Sequence, residues 1–348
     1  MLFFKRIIFS FIDLFHIRVK KKYESNLSGI SSPRCKNFNS TFRVGIVKET
    51  NGLHADYIKA CEELKISYYV FDIFKDNWFK IIDSEQVDFI VVRPSVNYDP
   101  WKQMYDNRIK ILSENTTTPI YPENLSLWLW ESKLRAIDWF RVNNIKTLKS
   151  HIFYNQIDAK NFLSSCEYPQ VYKSSSGSGS SGVKIIKNKI IGIHLINKVF
   201  NKGYRTYRKH HLDKEHGFII FQKYVPDLRE WRIIRIGEKY FGFEKLIHKE
   251  FHSGSQNFSY GRPPLKCLDF VRKLTTKFNF LFTSVDLFID ALGGVYVNEI
   301  QPYFAQKDDR ELLRIDGKSG YLKYSKQNNE YEFIPGSFCR NNLCNERL

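Results

Sequence analysis

Asp286, Glu299 and Gln301 are the residues whose types and spacing could hold a metal ion. They fall in the stretch Thr283 to Gln301, where two short alternating runs flank Ala291-Leu292-Gly293-Gly294 and read as a β-hairpin. Strand side chains alternate faces with period two. Val285, Leu287 and Ile289 therefore point one way and Asp286, Phe288 and Asp290 the other, while Val295, Val297, Glu299 and Gln301 share a face on the return strand. With the loop at Ala291 to Gly294, Asp290 closes against Val295 and Asp286 lies opposite Glu299. A register centred on Gly293-Gly294 sets Asp286 against Gln301 on the same face. Two carboxylates opposite each other destabilise a sheet unless a counter-charge lies between them. Asp, Glu and an amide oxygen are hard donors of the kind Mg²⁺ accepts, and Mg²⁺ takes its remaining ligands from substrate phosphates. The hairpin alone is equally compatible with a wet polar face that holds no metal.

Phosphate chemistry has a second address. The strand Tyr168 to Lys173 ends on a lysine, and nine serines and glycines follow, from Ser174 to Gly182, before the apolar run Val183 to Ile186. A nine-residue insert between two strands suits a hairpin flap. Its glycines, Gly179 among them, let backbone N–H groups approach phosphate oxygens, serines such as Ser178 add donors, and Lys173 adds a point charge. The alternative is a flexible linker between lobes. It is not a P-loop, because no Gly-Lys-Ser/Thr opens a helix. Glu230 and Arg232 share one face of a further strand, where Arg232 could grip a transferring phosphoryl group or simply pair with Glu230. His248 and His252 stand four apart, but without a helix pattern or a third ligand they argue against zinc.

These residues need elements to position them. Arg43 to Val47, Tyr68 to Phe71 and Val87 to Val92 read as buried strands, with helical spacing in Ala55 to Leu64 and Trp78 to Ile82. Strands alternating with helices predict a parallel α/β lobe of Rossmann-like type, without the glycine fingerprint of a dinucleotide site. Leu127, Trp130, Leu134, Ile137 and Phe140 mark one amphipathic helix, with Lys133 off its apolar line, where a lysine is ordinarily a solvated surface residue. Strands are expected at Ser150 to Tyr154 and Phe218 to Val225, and a helix at Leu265 to Phe278. The segment beyond Gln301 carries no readable pattern.

At 348 residues, with 43% hydrophobic and 26% charged, the chain is globular and long enough for two or three lobes. A net charge of +17 points to an anionic partner. The basic residues are scattered rather than gathered in one tract, which argues against nucleic acid. Met1 to Lys22 is aromatic-rich but interrupted by charges, so it reads as neither a spanning helix nor a secretory signal. An amphipathic helix on an anionic membrane surface and a helix packed on the protein's own core are both open. Six cysteines without zinc-type or redox-type pairing fit a reduced, cytoplasmic compartment.

Taken in order, these pieces resemble the ATP-grasp superfamily, in particular its carboxylate-amine ligases such as the glutamate ligases that modify ribosomal protein tails. The resemblance covers about residues 41 to 320. It rests on the α/β lobe, Lys133 on a helix, Lys173 before the Ser/Gly flap, a hinge strand Gln222 to Val225, the Glu230-x-Arg232 strand and the Asp286/Glu299 hairpin. It implies a mixed α/β ATP-grasp fold with an N-terminal Rossmann-like pre-ATP-grasp lobe. Its divisions are 1–40 for the N-terminal segment and linker, 41–120 for the pre-ATP-grasp lobe, 121–330 for the ATP-grasp domain with a flap lobe at about 150–225, and 331–348 for a tail. It implies ATP and Mg²⁺ (or Mn²⁺) as cofactors. Adenine would lie at the hinge near Gln222, Tyr224 and Val225, with Glu230 on the nucleotide and Lys133, Lys173, Ser178 and Gly179 at the phosphates. Asp286, Glu299 and Gln301 would hold the Mg²⁺ ions, with Arg232 and His252 as catalytic residues. Gln301 replaces the family's usual asparagine, and His252 replaces an arginine of some members. The implied activity joins a carboxylate to an amine through an acyl phosphate, on small anionic substrates such as a sugar or cell-envelope precursor. A kinase acting on a hydroxyl and a non-catalytic nucleotide-binding protein at a membrane surface are the alternatives.

Overall fold

The computed structural model describes residues 35–177, 179, 181–205, 213–247, 257–304 and 311–348. The N-terminal amphipathic segment 1–22, the flap residue Ser178, and His248 and His252 lie outside the described residues. Among the described residues no helix is long and apolar enough to cross a membrane.

The first lobe alternates strand and helix as its apolar runs predict. It holds β1 (Cys35–Lys36), β2 (Arg43–Val47), α1 (Ala55–Leu64), β3 (Ser67–Phe71), α2 (Trp78–Ser84), β4 (Phe89–Val91), α3 (Asp99–Asn115) and β5 (Ile120–Tyr121). The sheet runs β1-β3-β2-β4-β5, parallel except for the antiparallel edge strand β1. Four successive residues of β2 are buried, the mark of a strand covered on both faces. Val44, Ile46, Phe71, Ile90, Tyr105 and Leu112 belong to its core.

The helix expected over Leu127 to Phe140 is two helices, α4 (Asn124–Leu129) and α5 (Lys133–Val142). Trp130 is extended, Glu131 takes φ 57°, and the Ser132 hydroxyl caps α5 by accepting from the Arg135 N–H. The apolar series serves two cores, which is why it breaks. Leu127 and Trp130 pack into the first lobe, whereas Leu129, Ala136 and Phe140 pack on the large sheet described below. Burying each large apolar side chain contributes about 1.5–3 kcal/mol, against about 1 kcal/mol for each helical hydrogen bond given up at the break. The break sets Lys133 in the first turn of α5.

The flap lobe holds β6 (Ser150–Phe153), α6 (Gln156–Ser165), β7 (Gln170–Lys173), β8 (Val183–Ile186), α7 (Lys189–Lys202) and β9 (Ile219–Lys223). Its antiparallel sheet runs β6-β9-β7-β8. The two helices, not assigned from the sequence, start at the side-chain caps Asn155 and Asn188 and pack on the sheet through Leu163, Leu195, Ile196 and Val199.

The large sheet is built from β10 (Arg229–Ile236), β11 (Lys239–Lys245), β12 (Phe258–Ser259), β13 (Phe282–Ile289), β14 (Val295–Gln301), β15 (Arg314–Ile315), β16 (Lys318–Ser325) and β17 (Glu330–Pro335). Its order is β14-β13-β10-β11-β16-β15, with β12 on β11 and β17 on β16. Helix α8 (Leu265–Lys277) covers one face through Cys267, Leu268 and Val271, packed with Ile233, Val285 and Leu287. Residues 331–348, set apart above as a tail, carry most of β17 and the terminal helix α9 (Cys344–Arg347). Cys344 is buried in the first lobe's core, and Arg347 lies 4.4 Å over the ring of Tyr303, just past β14.

Asp286 stands opposite Glu299 and Ser284 opposite Gln301, as the first register requires. Beyond that point Leu287 pairs with Val297, so Asn298 is an extra residue, a β-bulge. Ile289, rather than Asp290, therefore closes against Val295. Asp290 is drawn into the turn, where its carboxylate accepts from the N–H groups of Gly294 at 2.6 Å and Leu292 at 3.0 Å. The bulge also reverses Val297, which is buried in the core with Leu287 rather than sharing the face of Glu299.

Candidate nucleotide and metal site

Strand pairing sets two rows of side chains across the uncovered face of the large sheet. One row is Glu299, Asp286, Arg232 and Phe243; the next is Tyr296, Phe288, Glu230 and Lys245. Opposite charges meet at Asp286 and Arg232 within the first row and at Glu230 and Lys245 within the second, whereas Glu299 and Asp286 are like charges side by side. Arg232 donates from Nε and Nη2 to the two oxygens of Asp286 at 2.7 and 2.8 Å. Lys245 donates from Nζ to Asp286 at 2.5 Å and to Glu230 at 2.6 Å. All of this lies out of water, with Asp286 1% and Glu230 2% exposed. Burial alone would raise the Asp286 carboxyl, but Arg232 and then Lys245 overturn it and hold the group well below the usual carboxylate range.

Glu299 differs from its neighbour. Its carboxylate accepts no hydrogen bond from a described residue, and its counter-charge is Lys133, with Nζ 4.0 Å away. Burial pushes its carboxyl upward and Lys133 offsets this only in part. A half-buried carboxylate so weakly partnered could hold a cation.

The opposite wall comes from the flap lobe. Lys173, the last residue of β7, donates from Nζ to the Asn298 amide oxygen at 2.8 Å and lies 5.7 Å over the Phe288 ring. Burial, then the neighbouring Lys133, lower its pKa to about 8 against the pull of Glu299 and Glu230. The flap leaves β7 through a Ser174 N–H bond to the Gly182 carbonyl at 2.8 Å. Gly177 and Gly179 take φ of 122° and 57°, conformations that cost other residues dearly. The first turn of α5 receives the flap, since the Lys133 N–H donates to the Ser175 carbonyl at 2.8 Å and Lys133 Nζ to the Gly177 carbonyl at 3.2 Å. Two acids hold flap amides: Glu215 accepts from Ser176 N–H and Glu131 from Gly177 N–H, each at 2.9 Å. Burial pushes the Glu215 carboxyl up to about 7.

Between the two sheets lies a cleft of about 1050 Å³, measured out to bulk solvent. Its apolar walls include Leu148, Val171, Ile185, Leu228 and Phe288. Along one edge runs the connection from β9 to β10, where Lys223 bonds back to the Lys149 carbonyl at 2.8 Å. Tyr224 and Val225, next along, make no backbone hydrogen bond to a described residue and so offer free edges to a ligand. An apolar slot closed by a few convergent polar groups is the ordinary form of a small-molecule site.

Of the residues singled out in the sequence, Lys133, Lys173, Gly179, Gln222, Tyr224, Val225, Glu230 and Glu299 line this cleft together. Gln222 also ties β9 to β6, donating to the Ser150 hydroxyl at 2.9 Å. Asp286 and Arg232 lie in the sheet row beside Glu299, engaged to each other. Gln301 sits one row further along, opposite Ser284, and does not line the cleft. Sequence reasoning missed Asn298, Lys245, Glu131 and Glu215. Asn298 faces the cleft only because of the bulge, and Lys245 becomes visible only through the register that sets it opposite Glu230.

No protein-family model and no curated protein sequence matches the chain. Solved structures do. N5-carboxyaminoimidazole synthetase from Staphylococcus aureus superposes with a TM-score of 0.52 at 16% identity, covering 78% of this chain and 73% of that one. A RimK domain protein of the ATP-grasp type from Sphaerobacter thermophilus gives 0.51 at 10%, covering 74% and 90%. The chain has the ATP-grasp fold. D-alanine–D-alanine ligase from Bacillus anthracis, solved in complex with ATP, gives 0.50 at 17%, covering 75% and 86%. The ATP-grasp architecture thus extends over most of the described chain, with the cleft between its two antiparallel sheets.

Proposed function

We propose that this cleft binds ATP with a divalent cation, and that the protein activates a substrate carboxylate as an acyl phosphate and joins it to an amine. The observation that carries this reading is the convergence of Lys133, Lys173 and the weakly partnered Glu299 beneath a glycine flap, at the end of an apolar slot. Adenine would occupy the slot, with its edge toward the backbone of Tyr224 and Val225. The triphosphate would run toward Lys173, Lys133 and the flap amides near Gly179.

The acids present fit a cation at Glu299. They fit less well at Asp286, whose two oxygens are already taken by Arg232 and Lys245. Gln301 shares the Glu299 face through its amide. A bound Mg²⁺ supplies neutralisation of the β- and γ-phosphate oxygens.

In the first step a carboxylate oxygen of the substrate bonds to the γ-phosphorus as its bond to the bridging oxygen breaks, releasing ADP. In the second the amine nitrogen bonds to the acyl carbon, phosphate leaves, and the nitrogen loses a proton. Lys133 and Lys173 orient the phosphates. Arg232, whose Nη1 is unused in the Asp286 pair, would be the catalytic cation for the transferring group, with His252 as a further candidate. Transfer of this kind depends on positioning and electrostatics rather than on a protein nucleophile. An anionic acid such as a sugar acid or cell-envelope precursor suits the basic chain.

ADP release across a panel of carboxylates and amines tests the reading, with Glu299→Ala as the control. Turnover should fall by at least about 10²–10³-fold in that variant with the far-UV circular dichroism unchanged, the scale of losing one preorganised electrostatic partner. Unaltered turnover would remove the metal assignment.

A further inference from the structure

Lys245 contacts no ligand in the reading above, yet it is engaged twice on the cleft-bearing face. Its ammonium sits between two buried carboxylates, 2.6 Å from Glu230 Oε1 and 2.5 Å from Asp286 Oδ2. Its side chain is 5% exposed, against 2% for Glu230 and 1% for Asp286. Two carboxylates in adjacent rows of a sheet need a shared cation, and here the chain provides one covalently. Arg232 closes the set by bonding both Asp286 oxygens. Among the described residues two carboxylates, Glu230 and Asp286, thus meet two cations, Arg232 and Lys245, and these four carry no net charge for a divalent ion to balance.

An ion bound directly by Asp286 would have to come within about 2.1 Å of an oxygen that already accepts from a cation. Removing either partner from a buried pair strands the other charge, which strongly disfavours such an exchange. Glu299, in the same row, shows the contrast. It has Lys133 at 4.0 Å and no hydrogen bond from a described residue, so it keeps both oxygens for a metal.

We propose that the Lys245 ammonium is a resident cation standing in for a divalent ion between Glu230 and Asp286, so that the nucleotide site recruits one divalent ion, at Glu299, rather than two. This rests on the ATP reading of the cleft. It makes the Asp286 face of the site independent of metal supply.

The test counts Mn²⁺ by electron paramagnetic resonance in the full-length protein saturated with the β,γ-imido analogue of ATP, with bound analogue measured in parallel by equilibrium dialysis. The wild type is expected to hold one Mn²⁺ per bound analogue, without the line broadening of a coupled pair. Lys245→Arg should stay at one, and Lys245→Met should rise to two, because Glu230 loses its cation and the set is left with one negative charge in excess. Two ions in the wild type overturn the inference, as does a folded Lys245→Met variant that stays at one. If Lys245→Met does not fold, the wild-type count and the Lys245→Arg count decide. Failure of the wild type to bind the analogue is a separate result, and it overturns the ATP reading instead.

Discussion

At the scale of single residues, the charge on Lys173 is set by its surroundings and can be read by pH. Burial and Lys133 bring its pKa from that of an ordinary lysine to about 8, so it is charged below that value and neutral above it. A triphosphate favours the charged form and raises the pKa in the complex. Nucleotide affinity should therefore be flat below pH 8 and weaken by up to about tenfold per pH unit above it, until the pKa of the complex is reached. Titrating analogue binding by calorimetry from pH 6 to pH 10 checks this, and Lys173→Arg, which stays charged throughout, should remove the dependence. Residues of this kind were legible where a strand kept its period. Parity put Asp286, Glu299 and Gln301 on one face, and of the two registers it left open the one with the loop at Ala291 to Gly294 sets Asp286 opposite Glu299, as observed; Lys173 was found because it ends a strand before a glycine-rich turn. Asn298 was not legible, because parity assigns it to the wrong face and only the bulge brings it to Lys173.

At the scale of elements, the break between α4 and α5 does more than divide a helix. It carries Glu131, whose carboxylate holds the Gly177 amide, and it turns the α5 N-terminus onto the flap. The two acids at Ser176 and Gly177 occupy N–H groups of the sort a phosphate would take. Glu131→Gly preserves the φ of 57° while removing the acceptor. A hydrogen bond to a charged acceptor contributes about 1.5–3 kcal/mol, so amide exchange at Gly177 in the nucleotide-free protein should speed up about tenfold to hundredfold. Unchanged exchange would mean that the carboxylate does not hold the flap. The break escaped the sequence reading because Leu127, Trp130, Leu134, Ile137 and Phe140 keep helical spacing although Leu127 and Trp130 belong to one core and Phe140 to another. Elements that serve one core, such as α1 and α8, were readable nearly to their ends. The strands beyond Gln301 were not, although β16 and β17 form a local hairpin, because their mostly polar, half-exposed residues blur the period-two pattern.

At the scale of the whole molecule, the cleft joins a flap lobe and a large sheet that have separate hydrophobic cores. A ligand touching Val171 and Lys173 on one side and Phe288 and Glu299 on the other ties these cores together. Saturation with magnesium and the imido analogue at about a hundred times Kd should stabilise the fold by about 2.7 kcal/mol. A rise in the thermal midpoint, with slower proteolysis between β7 and β8, is the expected outcome. No shift at saturating analogue would contradict a site spanning the two lobes. The net charge of +17 is consistent with an anionic ligand but does not choose one, and the identity of the acid is written in no periodic feature of the chain.

The central claim is that ATP activates a carboxylate, and isotope transfer tests it most directly. With an acid from the ADP-release panel labelled by ¹⁸O in its carboxylate, the proposed ligation predicts one ¹⁸O in each phosphate released and an amide that has lost one. Unlabelled phosphate, or a stable phosphorylated product that keeps both labelled oxygens, would contradict it.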